Sequence, residues 1–329
     1  MPQVLGNEVG SIGYGLMGFT WRPEPTPTGQ AIEAMKAALE SGLTLWNGAE
    51  FYGTAECNSM TLLKAYFSKY PEDADKVTLA MKGGMDPETH APDGSPQGTR
   101  RSLDNIINGL GGLKKLDGFA PSRRDPNTPL ETTYGVIQRE YIDTGKLGAV
   151  YLSECNANTI REAAKHAQIG AVEVEMSMFT PDILANGIAE ACAELNIPIM
   201  AYSPMGRGIL TGRFKQVSDI KDRGIMTVLP RFQPGAFEHN LQLVDQVDTI
   251  AKKKGCTSGQ LAIAWVRKHS NRPGLPTIIP LPGATAAARV RENAKLVDIT
   301  EEEFSEINLI VKNFEAVGNR YPDQVPMNT

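Results

Sequence analysis

Eight short apolar runs, each ending at a glycine-rich or polar turn and mostly separated by helix-spaced segments, constrain this chain more than any other feature. They cover residues 11–15, 43–46, 77–82, 116–119, 149–152, 171–174, 197–202 and 277–279. Runs that are apolar throughout, rather than alternating, are the pattern of strands covered on both faces in a parallel sheet. Helical spacing lies between them. Ile32, Met35 and Leu39 follow a Thr26-Pro27 start and stop at Gly42, and Leu103, Ile106, Ile107 and Leu110 share one face of a helix over 99–113. Further helices are expected over 60–66, 159–166, 183–195, 241–253, 258–268 and 286–295. Capping boxes at Thr128…Glu131 and Thr300…Glu303 start two more, the second carrying Phe304, Ile307 and Val311 on one side. An irregular stretch rich in Gly, Pro, Arg and Lys runs from Gly206 to about Glu238.

Eight strand–helix units in 329 residues favour a (β/α)8 TIM barrel with long loops after several strands and a C-terminal helical extension, all one domain over 1–329. The alternative is a doubly wound sheet with two extra strands. Gly13, Gly15 and Gly18 match the G-x-G-x-x-G spacing of a dinucleotide-binding sheet, but no helix opens at Gly18, where Trp21-Arg22-Pro23 and Pro25 follow.

A net charge of −5 and a pI near 5.6 give no electrostatic footprint for nucleic acid or an anionic membrane. Cys57, Cys155, Cys192 and Cys256 are widely spaced and form no C-x-x-C pair, which suits reduced thiols. The first ten residues have neither a basic nor an apolar signal region, and no run approaches a membrane span. A cytoplasmic location is expected.

In a parallel barrel the carboxyl ends of the strands share one mouth, where active sites form. The polar residues at those ends are Asn47, Tyr52, Lys82, Ser122, Ser153, Glu154, Glu173 and Tyr202. Singly, each is an ordinary helix cap or solvent contact. Together they supply a phenol and an ammonium, while the four histidines are scattered without ligand spacing. A phenol with a pKa of about 10 is a poor acid at neutral pH unless a nearby cation stabilises its phenolate. Tyr52 beside Lys82 therefore suggests carbonyl chemistry, with a proton given to oxygen.

These residues carry a resemblance. Asn47-Gly-Ala-Glu-Phe-Tyr52-Gly53, Lys82, Arg123-Arg-Asp-Pro126, Leu152-Ser-Glu154, the run from Ala201 to Gly212, Ile279-Pro-Leu-Pro-Gly283 and Arg289-Val-Arg-Glu-Asn293 resemble, in order, the aldo-keto reductase superfamily. Lys82-Gly-Gly84, Glu173-Val-Glu175 and Gly318-Asn-Arg-Tyr321 resemble its fungal pyridoxal reductases. The resemblance implies a barrel that binds NADPH and reduces a small-molecule aldehyde, pyridoxal above all. The alternatives are a general aldehyde or ketone reductase, and a slow cofactor-binding regulatory protein like the channel β-subunits of the superfamily.

By the same resemblance Tyr52 is the acid and Lys82 the lysine that tunes it. Asn47 stands where aspartate is usual, so Lys82 is expected to lack a carboxylate partner and to press its charge on Tyr52. Ser122 replaces the usual histidine. Ser153 and Glu173 are expected at the nicotinamide carboxamide, Glu154 where asparagine is common, and Tyr202 stacked on the nicotinamide. Ser203, Pro204, Gly206, Gly208 and Leu210 are expected over the pyrophosphate, with the insertion after them as a lid. Gly283 precedes the last helix, on which Arg289 is expected to meet the 2′-phosphate and Glu292 and Asn293 the adenine side. Phe19, Trp21 and Phe51 are candidate substrate-pocket walls.

Overall fold

A computed structural model describes residues 1–222 and 224–329 of the chain. Eight parallel strands follow one another around a single sheet: β3 Tyr14–Gly15, β4 Leu45–Ala49, β5 Thr78–Gly83, β6 Leu116–Pro121, β7 Leu147–Ser153, β8 Ile169–Glu175, β9 Ile199–Tyr202 and β10 Ile278–Leu281. The first and last strands meet, with Gly13 N–H donating to Pro280 O (2.9 Å), Gly15 N–H to Pro282 O (3.1 Å), and a parallel bridge from Gly15 to Gly283. The sheet is therefore a barrel, with helices around its outside. Gly13 serves that closure: a Cβ there would stand 2.3 Å from a Leu281 methyl and 3.0 Å from the Leu45 carbonyl. Contrary to the expectation that no helix opens at Gly18, a four-residue helix spans Met17–Thr20, but barrel closure accounts for Gly13.

Two apolar layers explain why the strands do not alternate in the sequence. Inside the barrel lie Leu45, Ala80, Ala120, Tyr151, Ala171, Met200 and Ile279. Outside, Trp46, Leu79, Phe119, Leu152, Val172 and Ile278 pack against the helices. The period of two is present, but both of its faces are buried.

The floor is closed by a hairpin that was not legible beforehand, β1 Gln3–Val4 and β2 Asn7–Glu8. Leu5 N–H donates to Gly170 O (3.2 Å), and its side chain fills the space where a Cβ on Gly118 would stand 2.3 Å away.

Several helix boundaries moved for local reasons. The helix expected to be capped at Thr26 spans Thr28–Glu40 with Pro27 at its cap, and the Thr26 hydroxyl has no hydrogen-bond partner. The Thr128…Glu131 box does not form, because the Thr128 hydroxyl turns back to Asp125 (2.6 Å). The stretch 183–195 is broken by Gly187 in a left-handed conformation (φ 85°), and a helix proper covers only Ile188–Glu194. Ser258–Lys268 lies where expected, and the Thr300…Glu303 box opens Glu301–Asn313 with both reciprocal bonds formed. Short 3-10 turns occupy the insertion up to 232, after which Ala236–Lys254 is helical.

Candidate active site

The inward register of the strands continues past the apolar interior and delivers the polar side chains. Asn47 lies two residues beyond Leu45, Lys82 two beyond Ala80, Ser153 two beyond Tyr151, Glu173 two beyond Ala171 and Tyr202 two beyond Met200. The site is thus the top layer of the barrel filling. Because β4 runs to Ala49, Asn47 is an internal strand residue rather than a turn residue.

Lys82, Asn47 and Glu173 form a closed ring. The Lys82 ammonium donates to Glu173 Oε1 (2.7 Å) and to Asn47 Oδ1 (2.8 Å), and Asn47 Nδ2 donates to Glu173 Oε2 (2.7 Å). None of the three is more than 5% exposed. This corrects the sequence expectation: Lys82 does have a carboxylate, contributed by β8 instead of β4. Glu173, expected at the nicotinamide amide, has both oxygens engaged here. The ammonium lies 5.3 Å from the centre of the Tyr52 ring. Burial works to lower the Lys82 pKa, but Glu173 and Tyr52 outweigh it and the group stays charged above its ordinary value. Burial pushes the Tyr52 phenol up; Lys82 opposes the rise and Glu173 adds to it, leaving the phenol above its ordinary value. Tyr52 is consequently protonated at neutral pH.

Trp21 stacks on Tyr52 with ring centres 5.1 Å apart and 23° between planes, and Phe51 meets both edge-on. Thr20 fixes the turn by donating its hydroxyl to Tyr52 O (2.8 Å). Beyond Trp21 a cavity of about 300 Å³ is lined by Arg22, Gly53, Thr54 and Ile225 among others. Phe19 is not part of this wall. It is 1% exposed and packs edge-on against Tyr14 in the outer core, because the short helix Met17–Thr20 turns it inward. Ser122 is buried at the end of β6, its N–H donating to Gly83 O (2.8 Å); among the described residues no hydrogen bond joins it to Tyr52 or Lys82.

The other side of the mouth is covered by the tail after the last helix, a feature present in the sequence only as the motif Gly318-Asn-Arg-Tyr321. Arg320 grips Glu154 with two bonds (3.1 and 3.0 Å) and lies 3.5 Å from Glu175. Tyr202 donates to Glu154 (2.9 Å), its hydroxyl is 3.2 Å from that of Tyr321, and Arg207 donates to the Tyr321 oxygen (2.7 Å). Burial pushes the Glu154 carboxyl up, yet Arg320 holds it below the ordinary range. Farther on, Arg123 donates to Pro326 O and Thr329 N–H to Glu154 O. Glu154, Ser203 and Arg207 all hold left-handed backbones (φ 54°, 52° and 57°), conformations that cost non-glycine residues energy and that cluster at functional sites.

Of the residues expected to hold a dinucleotide, Ser153 and Tyr202 lie at this mouth. Ser153 ends β7 and Tyr202 ends β9. The loop from Ser203 to Leu210 turns tightly through Gly206 and Gly208 (φ 55° and 99°). Gly283 stands at the barrel closure. Arg289, about half exposed, is paired with Glu292 at 2.5 Å, and Asn293 is buried beside them. Ring, hydroxyl and spaced cations suit an elongated anionic cofactor.

The aldo/keto reductase family model matches residues 11–312. The chain belongs to that family. It is 40% identical over 332 residues to a Schizosaccharomyces pombe protein named Probable pyridoxal reductase 2, covering 99% of this chain and 98% of that one. It is 36% identical over 334 residues to a Saccharomyces cerevisiae protein provisionally named a pyridoxal reductase, covering 94% and 95%. Among solved structures, an aldo-keto reductase from Klebsiella pneumoniae in complex with NADPH superposes with a TM-score of 0.70 at 19% identity, over 99% and 96% of the two chains. The chain is therefore an oxidoreductase of a family that uses NAD(P)H, and among its described residues no helix is long and apolar enough to cross a membrane.

Proposed function

We propose that this aldo/keto reductase is an NADPH-dependent aldehyde reductase that converts pyridoxal to pyridoxine, with Tyr52 as proton donor. The observation that carries the reading is the buried Tyr52 phenol beside the Lys82–Glu173–Asn47 ring at the barrel mouth. The cofactor supplies hydride to the carbonyl carbon. The protein's part is to give the oxygen a proton: burial makes the Tyr52 phenol hold its proton tightly, and Lys82 offsets part of that by favouring the phenolate. Lys82 stabilises the phenolate left behind, with two of its N–H donors fixed by Glu173 and Asn47 and one left for the phenol.

Trp21 and Phe51 provide flat apolar faces suited to a pyridine ring, and the similarity to two proteins with pyridoxal reductase names supports the same choice. Arg289 favours the 2′-phosphate of NADPH over NADH, and Ser153, Tyr202 and the 203–210 loop serve the nicotinamide and pyrophosphate. Ser122, without a link to Tyr52, serves as a substrate-side hydroxyl. The test is steady-state NADPH oxidation with pyridoxal against a panel of simple aldehydes and ketones. Pyridoxal is expected to have the highest kcat/KM. Far higher values for simple aldehydes would make the protein a general reductase, and tight NADPH binding without turnover would make it a regulatory binder.

A further inference from the structure

Asn47 and Glu173 are 126 residues apart and reach the same lysine from β4 and β8. In the ring each side chain touches both others at 2.7 or 2.8 Å, which fixes the Asn47 amide: its oxygen faces the ammonium and its nitrogen faces the carboxylate. We infer that Asn47 and Glu173 are one exchangeable unit, an amide and a carboxylate traded across the barrel, and that Glu173 is the positioning residue for Lys82. The catalytic part of this inference rests on the proposed reductase; the ring itself does not.

The dependence is mutual. Aspartate at 47 would set an oxygen against Glu173 Oε2 where a donor now stands 2.7 Å away, so two carboxylates would share one ammonium and one would be driven to take up a proton. Glutamine at 173 would leave Lys82 buried without a charge partner, since Glu173 is the one carboxylate within 4 Å of it among the described residues. Among the described residues Lys82 is the one cation within 4 Å of Glu173. Tyr151, fully buried below the ring, has a hydroxyl with no hydrogen bond and feels Glu173, Tyr52 and Asn47. The titratable groups facing Lys82 are therefore Glu173 and Tyr52, with Tyr151 underneath and Tyr321 acting on Tyr52 from the tail. Asn47→Asp and Glu173→Gln made together restore one carboxylate, one amide and one ammonium in the same space.

The experiment compares wild type, Asn47→Asp, Glu173→Gln and the double variant, first as cofactor-free protein in thermal unfolding at one scan rate. Each single change is expected to lower the midpoint by roughly 5 °C or more. The double variant is expected to recover more than half of the summed loss. Additive losses would overturn the unit. If neither single variant accumulates as folded protein, a folded double variant supports it and an unfolded one overturns it. The second readout is the pH profile of kcat/KM for NADPH oxidation, which a purely structural ring would not move. Glu173→Gln is expected to shift the limb assigned to Tyr52 to higher pH, as loss of Lys82 would, because an unpartnered Lys82 no longer offsets the burial of the phenol, and the double variant to return it toward wild type. A shift to lower pH would show Glu173 acting on the phenol directly and overturn the positioning role. An unmoved limb overturns the positioning role. Recovery of the midpoint in a protein with no turnover at all would count against the proposed reductase and leave the exchangeable unit standing.

Discussion

Replacing Arg320 with glutamine is expected to loosen the tail at the mouth while the barrel holds. Arg320 is buried against Glu154 with two bonds and lies 3.5 Å from Glu175, so its removal strands two carboxylates that are 1% and 4% exposed. Glu175 Oε2 has no hydrogen bond even with the arginine present. Leaving a buried charge without its partner costs about 3–5 kcal/mol. Eight other hydrogen bonds hold the tail: Asn240 exchanges two with the Val317 backbone, Arg231 donates to Gly318 O, Arg207 and Tyr202 each meet the Tyr321 hydroxyl, Arg123 donates to Pro326 O, and Thr329 pairs with Glu154 O and Asn156 N–H. At about 0.5–1.5 kcal/mol each they contribute roughly 4–12 kcal/mol, so a loss of about 3–5 kcal/mol loosens the tail without detaching it. Letting water reach Glu154 is therefore easier than unfolding the sheet.

Hydrogen–deuterium exchange reads this directly. A local loss of about 3 kcal/mol corresponds to roughly hundredfold faster exchange over residues 316–329, with β4 and β5 unchanged. Tail exchange equal to wild type would refute the reasoning, as would equal acceleration in the barrel strands. Arg320→Lys keeps the charge without the two-pronged grip and is expected to fall between the two. The folded Glu154 pKa is depressed, so the stabilisation is complete above the ordinary glutamate value of about 4.3 and is lost as pH falls through the lower folded value.

Other expectations concern separate parts of the molecule. His269 is 6% exposed, its Nε2 unbonded, and burial followed by Arg272 lowers its pKa to about 4. Its contribution, at most about 3 kcal/mol, is present above pH 6.5 and drains away between 6.5 and 4; His269→Gln should flatten that part of the stability–pH curve, and an unchanged slope would show that His269 does not set it. Lys82→Met removes the charge that works against burial at Tyr52, so the kcat/KM limb assigned to the phenol should move to higher pH, and a fixed limb would separate the two groups. Arg289→Ala should weaken NADPH binding by about tenfold while leaving NADH nearly untouched in a fluorescence titration; equal losses would remove Arg289 from the 2′-phosphate.

The barrel was legible because eight doubly covered strands leave an apolar trace that does not depend on long-range detail. Their boundaries were less so: β4 was expected to stop at Trp46, and the polar Asn47 hid the fact that the strand continues to Ala49. Phe19 was misread as a pocket wall because an aromatic residue in a loop looks the same whether its helix turns it in or out. The larger miss was Lys82. Aligning polar residues by strand position shows a carboxylate gone from one strand end and gained at another, but only the distances across the barrel reveal that both positions serve one ammonium. The tail posed the same problem, since Arg320 follows Glu154 by 166 residues and the sequence does not fix where a terminal loop will lie.

The most direct measurement is NADPH binding and aldehyde turnover in Tyr52→Phe, which deletes one hydroxyl and keeps the ring stacked under Trp21. NADPH affinity is expected to stay within about threefold of wild type while kcat/KM for pyridoxal falls by roughly a thousandfold or more, the scale of a lost general acid. Turnover retained with binding intact would contradict the assignment of Tyr52 as the acid.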